Sequence, residues 1–406
     1  MTSLCLNMIV KNESHIIEHT LENVCQHFPI SYWVISDTGS TDNTIEKIIN
    51  FFQRKNIVGE IHQEEWRDFA YNRNKALTAC KDKADYILFF DADDWIEGTL
   101  VLPELKHDAY QFQFTDELGT VRFMRQMIIK NHQHYFWKGV LHERLMADAE
   151  MNEAEVQGDY LVISGRKGNR NLDPQKALKD AIVLEQAYQD ATELMDQARY
   201  AFYCAQSYAV YATQNDSQYL DKAIAWYRKR IAITLPWLKI DDEKYVSYEN
   251  LGTVYEKKLD FQNAKQTWKQ GNELDPFRAE CLYHLIYRLH LEEALAEAYT
   301  LAKQAVQLKM PKGNRVFLNQ SIYEYWCLHQ LCILSWKLDR LDESYQTFKI
   351  LVQHLPAEYV ENLQPIIQTY VPLIFNDRYS DVIQLQSDFE RLGFDHYFKS
   401  LVRMEI

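Results

Sequence analysis

Three carboxylates, Asp91, Asp93 and Asp94, end an apolar run that reads Tyr86-Ile-Leu-Phe-Phe90 and are followed at once by Trp95. Clustered negative charge at the end of a buried strand is costly through repulsion and lost solvation, so it implies a positive partner. The spacing Asp91-Ala-Asp93 lets two carboxylates meet one divalent cation. Hard oxygen ligands favour Mg²⁺ or Mn²⁺ over zinc, and such a cation keeps waters and takes phosphate oxygens as further ligands. The competing reading is a solvated turn that caps a helix at Glu97.

Further residues invite a functional reading against a structural one. Asp37 closes the run Tyr32-Trp-Val-Ile35 and opens Asp37-Thr-Gly-Ser-Thr-Asp42. It can hydrogen-bond a base or ribose edge, or hold the backbone of Thr38 to Ser40 in an Asx turn. Asn12 and Glu13 follow the first apolar run. Glu13 can accept from a ribose hydroxyl or place favourable charge at a helix start. Arg73 shares a helix face with Phe69 and Leu77 at four-residue spacing. An arginine there wants an anion, and a diphosphate fits its fork, although an internal carboxylate competes. In Trp137-Lys-Gly-Val-Leu-His-Glu143, His142 can ligate a metal through neutral imidazole and Glu143 can accept a proton. Neighbours on a strand point to opposite faces, so the two serve one site only at a strand end or bend. Trp95 and Trp137 can stack on a sugar face or fill core.

The elements that position these residues come in two grammars. Up to about residue 165, strand and helix signals alternate. Strands are expected at Leu4–Val10, Tyr32–Ile35, Gly59–His62 and Asp85–Phe90, with helices at Ser14 to about His27, Asn43–Lys55 (capped by Thr41 or Asp42) and Phe69–Lys81. Such alternation with short links implies a parallel sheet covered on both faces, with ligands beyond the carboxyl ends of its strands. Asp37 and the Asp91–Asp94 cluster fall at those ends. Gln111–Phe114 and Arg122–Ile129 lack intervening helices and suggest an antiparallel addition. From about Asp173 the chain is helical and repeats. Tyr248, Leu251, Gly252, Tyr255, Ala264, Trp268, Gly271 and Pro276 lie at tetratricopeptide-repeat offsets. Degenerate copies use Leu282, Leu285, Ala298, Ala305 and Pro311, then Leu328, Leu331, Phe348 and Pro356. An earlier copy uses Ala205, Tyr208, Ala223 and Tyr227, with an insertion around Thr213 to Gln218. The remainder is expected to form a helix pair closing the open end. The domains read as 1–165, a helical linker at 166–198, and helical repeats at 199–406.

Composition narrows the partners. A net charge of −14 argues against a nucleic-acid ligand and against simple electrostatic docking to anionic lipid, without excluding a local basic patch. Seven unpatterned cysteines read as free thiols in a reducing compartment. With no signal peptide and no apolar stretch of membrane-spanning length, the expected location is cytoplasmic, peripheral membrane attachment included.

Taken in order, Ser3-Leu-Cys-Leu-Asn-Met-Ile-Val-Lys-Asn-Glu13, Asp37-Thr-Gly-Ser-Thr-Asp42, Asn72-Arg-Asn74, Asp91-Ala-Asp-Asp94 and Trp137-x-Gly-x-x-His-Glu143 resemble a family 2 glycosyltransferase of GT-A fold, in the subgroup with C-terminal tetratricopeptide repeats. The resemblance implies an α/β Rossmann-like GT-A domain followed by an all-α repeat superhelix. It implies a nucleotide-sugar donor, most often a UDP-sugar, and Mn²⁺ or Mg²⁺. Carried over, Asp37 contacts the uracil or ribose side; the residues themselves add Asn12, Glu13, Arg73 and Trp137 as candidates around the donor. Asp91 and Asp93 meet the sugar-nucleotide and the metal, and His142 is the third metal residue. Inversion in one displacement needs a general base: Glu143 first, then Asp94 and Asp116. Here Ser36-Asp37 replaces the double aspartate of the wider family. The acceptor is a glycan, a lipid-linked glycan or a peptide or protein. The bacteriocin S-glycosyltransferases, which share this layout, keep the peptide in view. The repeats would bind acceptor or a protein partner, or form a homodimer. The alternative is a degenerate transferase serving as a repeat scaffold. A nucleotidyltransferase would show a Gly-rich basic loop near the N-terminus, which this chain lacks.

Overall fold

The computed structural model describes residues 2–117, 119, 121–131, 134–313, 315–356, 359, 370 and 379–393. It divides into two compact units, Met1–Lys244 with Asn314–Phe317, and Tyr245–Gly313 with Leu318–Ile406.

The first unit is built on a mixed sheet. Its strands are β1 (Leu4–Val10), β2 (Tyr32–Asp37), β3 (Gly59–Gln63), β4 (Tyr86–Phe89), β5 (Trp95–Thr99), β6 (Ala109–Asp116), β7 (Val121–Lys130), β8 (Tyr135–Lys138), β9 (Arg144–Ala147), β10 (Glu153–Glu155) and β11 (Asp159–Ser164). The order across the sheet is β3-β2-β1-β4-β7-β6-β11-β5, and β8–β9 is a separate hairpin. The half β3-β2-β1-β4 is parallel, with Asn7 opposite Val34 on one side and Phe89 on the other. Strand β7 runs antiparallel to both β4 and β6, the expected addition. Asp91 is followed by strand β5, not by a helix at Glu97: Trp95 to Thr99 pair antiparallel with β11 and bury Ile96.

Strand alternation sorts the core. Leu4, Leu6, Met8, Trp33, Ile35 and Leu88 face α1 (Ile17–His27) and α2 (Thr44–Lys55), whose Ile17, Leu21, Val24, Ile48, Phe51 and Phe52 fill the same cluster. Cys5, Val34, Ile87 and Phe89 face the other way, against α3 (Phe69–Ala79) and the β8–β9 hairpin. One polar side chain enters that second layer: the Asn7 amide donates to the Ala76 carbonyl on α3 at 3.0 Å. A central strand buried on both faces explains the near-continuous apolar run of β1.

Helices α4 (Lys176–Asp190), α5 (Leu194–Gln214) and α6 (Leu220–Ala232) complete this unit. The second unit begins within α7 (Asp242–Lys257), which forms a hairpin with α8 (Phe261–Leu274). Then come α9 (Glu280–Leu291) with α10 (Leu295–Ala305), and α11 (Cys327–Lys337) with α12 (Leu341–His354). A last helix, α13 (Tyr379–Arg391), lays Leu385 and Phe389 into the core of α12. The remainder of the expected terminal pair lies outside the described residues.

The repeat residues act as their sizes dictate. Trp268 packs on Gly252 and donates its indole N–H to the Glu249 carbonyl at 3.0 Å. A Cβ at Gly252 would lie 2.2 Å from that nitrogen. Helix propensity favours alanine over glycine by about 1 kcal/mol, but overpacking costs about 1–3 kcal/mol. Gly252→Ala is therefore expected to lower the melting temperature of the repeat unit. A temperature equal to or above wild type would show that the indole can shift at no cost.

Candidate active site

The carboxyl ends of β1, β2 and β4 meet at one lip of the sheet. The β2–α2 turn opens on Gly39 at φ 97°. Asp37 Oδ2 accepts from the amides of Gly39 and Ser40 at 3.1 and 3.0 Å, the Asx-turn reading. Asp37 Oδ1 is buried and takes no hydrogen bond in the structure. Asn12, at φ 57°, accepts from the Thr41 amide at 2.7 Å, so it ties the β1 end to this turn. Asp42 Oδ1 accepts from the Thr44 amide at 3.0 Å, the helix-start contact its position suggested.

Asp91 is the charge centre of the site. Its Oδ1 accepts from Arg73 Nη2 at 2.7 Å and its Oδ2 from Arg125 Nη1 at 2.9 Å. Burial works against its charge, but Arg125 and Arg73 outweigh it and hold the carboxyl well below the usual range. Arg73 donates its second arm, Nε, to Glu143 Oε1 at 2.5 Å. Its guanidinium also lies 5.0 Å from the centre of the Trp137 ring. The arginine on the apolar face of α3 therefore has internal carboxylates for partners. Its side chain is 7% exposed, against 30% for Arg125. Arg125, on β7, is the functional candidate that the sequence reading overlooked. Its only local signal is a cation within an expected strand, three residues after Arg122.

Trp137 is not a free sugar platform. It is buried, packs edge-to-face on Phe89 at 5.0 Å, and has its backbone clamped on both sides by Asn74. Asn72 likewise holds the loop before α3 through the Arg67 amide and the Glu65 carbonyl. The two asparagines flanking Arg73 are thus scaffolding. Asp116 accepts from the Val121 amide at 3.3 Å across the β6–β7 turn.

The segment after β11 folds back over the acidic cluster. The Gly165 amide donates to Asp94 at 3.1 Å and the Gly168 amide to Asp93 at 3.1 Å. The Asn171 side chain also donates to Asp93, at 3.2 Å, and the Asn169 amide to Glu13 at 3.1 Å. A Cβ at Gly165 would sit 1.8 Å from the Asp93 backbone carbonyl oxygen, so glycine is required there, while one at Gly168 would lie 2.8 Å from Asp93 Oδ2 and would push that carboxylate aside. Asp94 is buried, 3.8 Å from Arg125. Burial, then the charges of Asp91 and Asp93, raise it well above the carboxylate range, with Arg125 opposing. Burial raises Asp93 too, the Gly168 amide opposing and Asp91 adding.

The expected metal set of Asp91, Asp93 and His142 does not assemble. Among the described residues no three His, Cys, Asp or Glu side chains converge into a metal shell. Both Asp91 oxygens are on guanidinium groups. The His142 ring stacks on Tyr203 of α5, centroids 3.8 Å apart and 7° from parallel. Asp93 fits a cation better: its second oxygen takes no hydrogen bond from another described residue, and Mg²⁺ commonly needs only one or two carboxylates when substrate phosphates complete its shell.

His142 and Glu143 reach one region because the chain bends there, His142 adopting φ 53°. Arg199 of α5 donates to the His142 carbonyl at 2.8 Å and fixes the bend. The His142 residue is exposed, with one ring face covered by Tyr203; crowding of the ring, then the charges of Arg199, Lys176 and Arg170, lower its proton affinity and favour the neutral form. Asp196 of α5 meets both Lys138 and Arg144, anchoring the hairpin on either side of the bend.

Residues 5–163 match the family model described as glycosyl transferase family 2. This part of the chain is a family 2 glycosyltransferase domain. No curated protein matches the sequence. Among solved structures, residues 1–349 of S. aureus TarS in complex with UDP-GlcNAc share 12% identity, with 66% of this chain and 92% of that one covered and a TM-score of 0.34. YrrB, described as a TPR protein with an unusual peptide-binding site, shares 15%, covering 55% of this chain and 98% of its own, TM-score 0.34. MamA shares 16%, covering 48% and 92%, TM-score 0.28. Likenesses this distant assign no residue a role, so roles in the glycosyltransferase must come from its own geometry.

One such consequence concerns Glu13. Burial dominates its environment; against the Asn169 amide and with Asp93 adding, it raises the carboxyl from 4.5 to about 7. Between those values the folded protein holds a proton that the unfolded chain has released, so stability falls as pH rises through that window and levels above it. Glu13→Gln removes this titration. The variant's gain in melting temperature over wild type is expected to be larger at about pH 8 than at about pH 4. A pH-independent difference would contradict the assignment.

Proposed function

We propose that the domain transfers a sugar from a nucleotide-sugar, a UDP-sugar before others, to an acceptor hydroxyl or thiol, with inversion in one displacement. The observation that carries this reading is the Arg73–Asp91–Arg125 bridge at the sheet's ligand-binding lip. Its partly exposed Arg125 guanidinium, already held in orientation by Asp91, supports a role in neutralising a departing diphosphate. The unmet acceptor Asp37 Oδ1 gives a second support, since a uracil N–H or ribose hydroxyl can satisfy it. Asn12 and Glu13 shape that end of the pocket.

The roles follow. Asp37 reads the nucleoside. Arg125 offsets charge gathering on the leaving diphosphate, and Arg73, buried beneath it, positions Asp91 and Glu143. Glu143 takes the acceptor's proton as the new bond forms, oriented by its bond to Arg73; Asp94, deeper and beneath Arg125, stands behind it. A divalent cation carried in with the donor would be held by Asp93 and would further neutralise the diphosphate. The acceptor proposed is a glycan, lipid-linked glycan or peptide, with the helical repeats as its docking surface or as the dimerisation element.

Two experiments test this. Titration of the full chain with UDP by calorimetry, with and without Mn²⁺, is expected to show binding that Asp37→Asn weakens by about tenfold, the worth of one buried hydrogen bond. Absence of UDP binding under both conditions would refute the donor assignment. In a screen that reads nucleotide released from UDP-, GDP- and dTDP-sugars, Arg125→Ala is expected to lower turnover by about 10²-fold or more. Glu143→Gln should lower transfer to acceptor much more than hydrolysis of donor, because water needs no positioned acceptor base. Equal loss of both would move the base to another carboxylate.

A further inference from the structure

The connection from α6 to α7 carries a feature that sugar transfer does not use. It reads Thr234-Leu-Pro-Trp-Leu-Lys-Ile-Asp241. Leu235 is buried and anchors the segment, while the Leu238 amide donates to the Leu235 carbonyl at 3.0 Å and closes a turn over Pro236 and Trp237. Proline at the second position of such a turn fixes its φ, so the tip is preorganised. Beyond the anchor the apolar side chains point to solvent: Trp237 is 58% exposed, Leu238 37% and Ile240 53%.

The charges around the tip are sorted. The three acidic residues that follow are each paired: Asp241 with Arg230, Asp242 with Arg315, and Glu243 with Arg199. Lys239 at the tip is exposed, and Lys244 reaches the base of the turn, its Nζ 3.3 Å from the Ile233 carbonyl and 3.5 Å from Thr234 Oγ1. In a chain of net charge −14, this tip offers apolar side chains beside cations, with the nearby carboxylates neutralised.

We propose that this turn is a membrane-docking finger that inserts Trp237, Leu238 and Ile240 into the interface of an anionic bilayer, with Lys239 and Lys244 meeting lipid phosphates. Two arguments select a bilayer over a protein. The exposed apolar tip offers roughly 300 Å², well short of the ~800 Å² per partner of a stable protein interface, whereas interfacial anchoring needs only a few apolar groups plus basic attraction. Tryptophan beside lysine is also the pairing that the membrane–water interface favours.

The test is co-sedimentation of the full chain with vesicles of phosphatidylcholine alone or with phosphatidylglycerol added. Wild type is expected to pellet with the anionic vesicles, less so at high salt. W237S/L238S/I240S is expected to cut the bound fraction by about tenfold or more, with melting temperature and UDP binding unchanged. Lys239→Glu, which leaves the apolar tip intact, should weaken binding to anionic vesicles only. Wild type remaining in the supernatant with both vesicle types would overturn the proposal, as would a triple variant that pellets like wild type. So would a wild-type dimer in sedimentation velocity that the triple variant dissociates, since the tip would then be met by a second copy.

Discussion

Asp91 sits where four structural elements must agree. It follows β4, and its two oxygens take Arg73 from α3 and Arg125 from β7; Arg73 then takes Glu143 from the bend between β8 and β9. Arg73 is desolvated, and losing the partner of such a buried charge typically costs about 3–5 kcal/mol, whereas Arg125 keeps part of its hydration. The bridge therefore sets the geometry of the lip as well as its charge. It explains why a strand as apolar as β4 runs straight into aspartate: the negative charge is the counter-ion of two arginines that would otherwise be stranded.

The same bridge marks what sequence could and could not show. Strand and helix order was legible because apolar periodicity and short links are local properties. Tyr86–Phe89 and Leu4–Val10 are strands that could be little else. Asp37, Asn12, Glu13 and Asp91–Asp94 do gather at one edge, since parallel strands bring their carboxyl ends together. Pairings between distant residues were not legible. Nothing local says that Arg73 is claimed by Asp91 and Glu143, that Trp137 is wedged between Phe89 and that arginine, or that His142 lies on Tyr203. Arg125 was overlooked for the same reason, because a cation in an antiparallel strand looks like an ordinary exposed residue until the strand's neighbour is known. Strand β5 was missed because Trp95 to Thr99 is short and pairs with a strand some sixty residues later, by the register of Ile96 with Val162.

Helix α5 changes what counts as the catalytic unit. Tyr203 stacks on His142, Arg199 holds its carbonyl, and Asp196 binds the cations on both strands of the β8–β9 hairpin. A left-handed histidine is a strained choice for a non-glycine residue, and such strain persists where surrounding contacts over-determine it. Those contacts come from a helix that sequence periodicity alone assigns partly to a linker. The first helical hairpin thus supports the position of Glu143 from behind, a structural duty distinct from any recognition by the later repeats.

The segment from Gly165 to Asn171 raises a competition that the carboxylates themselves define. Its amides at Gly165, Gly168 and Asn169 point at Asp94, Asp93 and Glu13, and the proton affinity of each of these three carboxyls is raised. Three amide dipoles do not neutralise two buried carboxylates and the half-buried Asp93, so protons remain part of the balance. Were a divalent cation to accompany the donor as proposed, it would be the stronger neutraliser and would displace those protons. Asp91, already satisfied by two guanidinium groups, has no such vacancy in its charge balance. The division of labour within Asp91-Ala-Asp93 therefore follows from electrostatics: the first aspartate organises the arginines, and the second is left to respond to what binds.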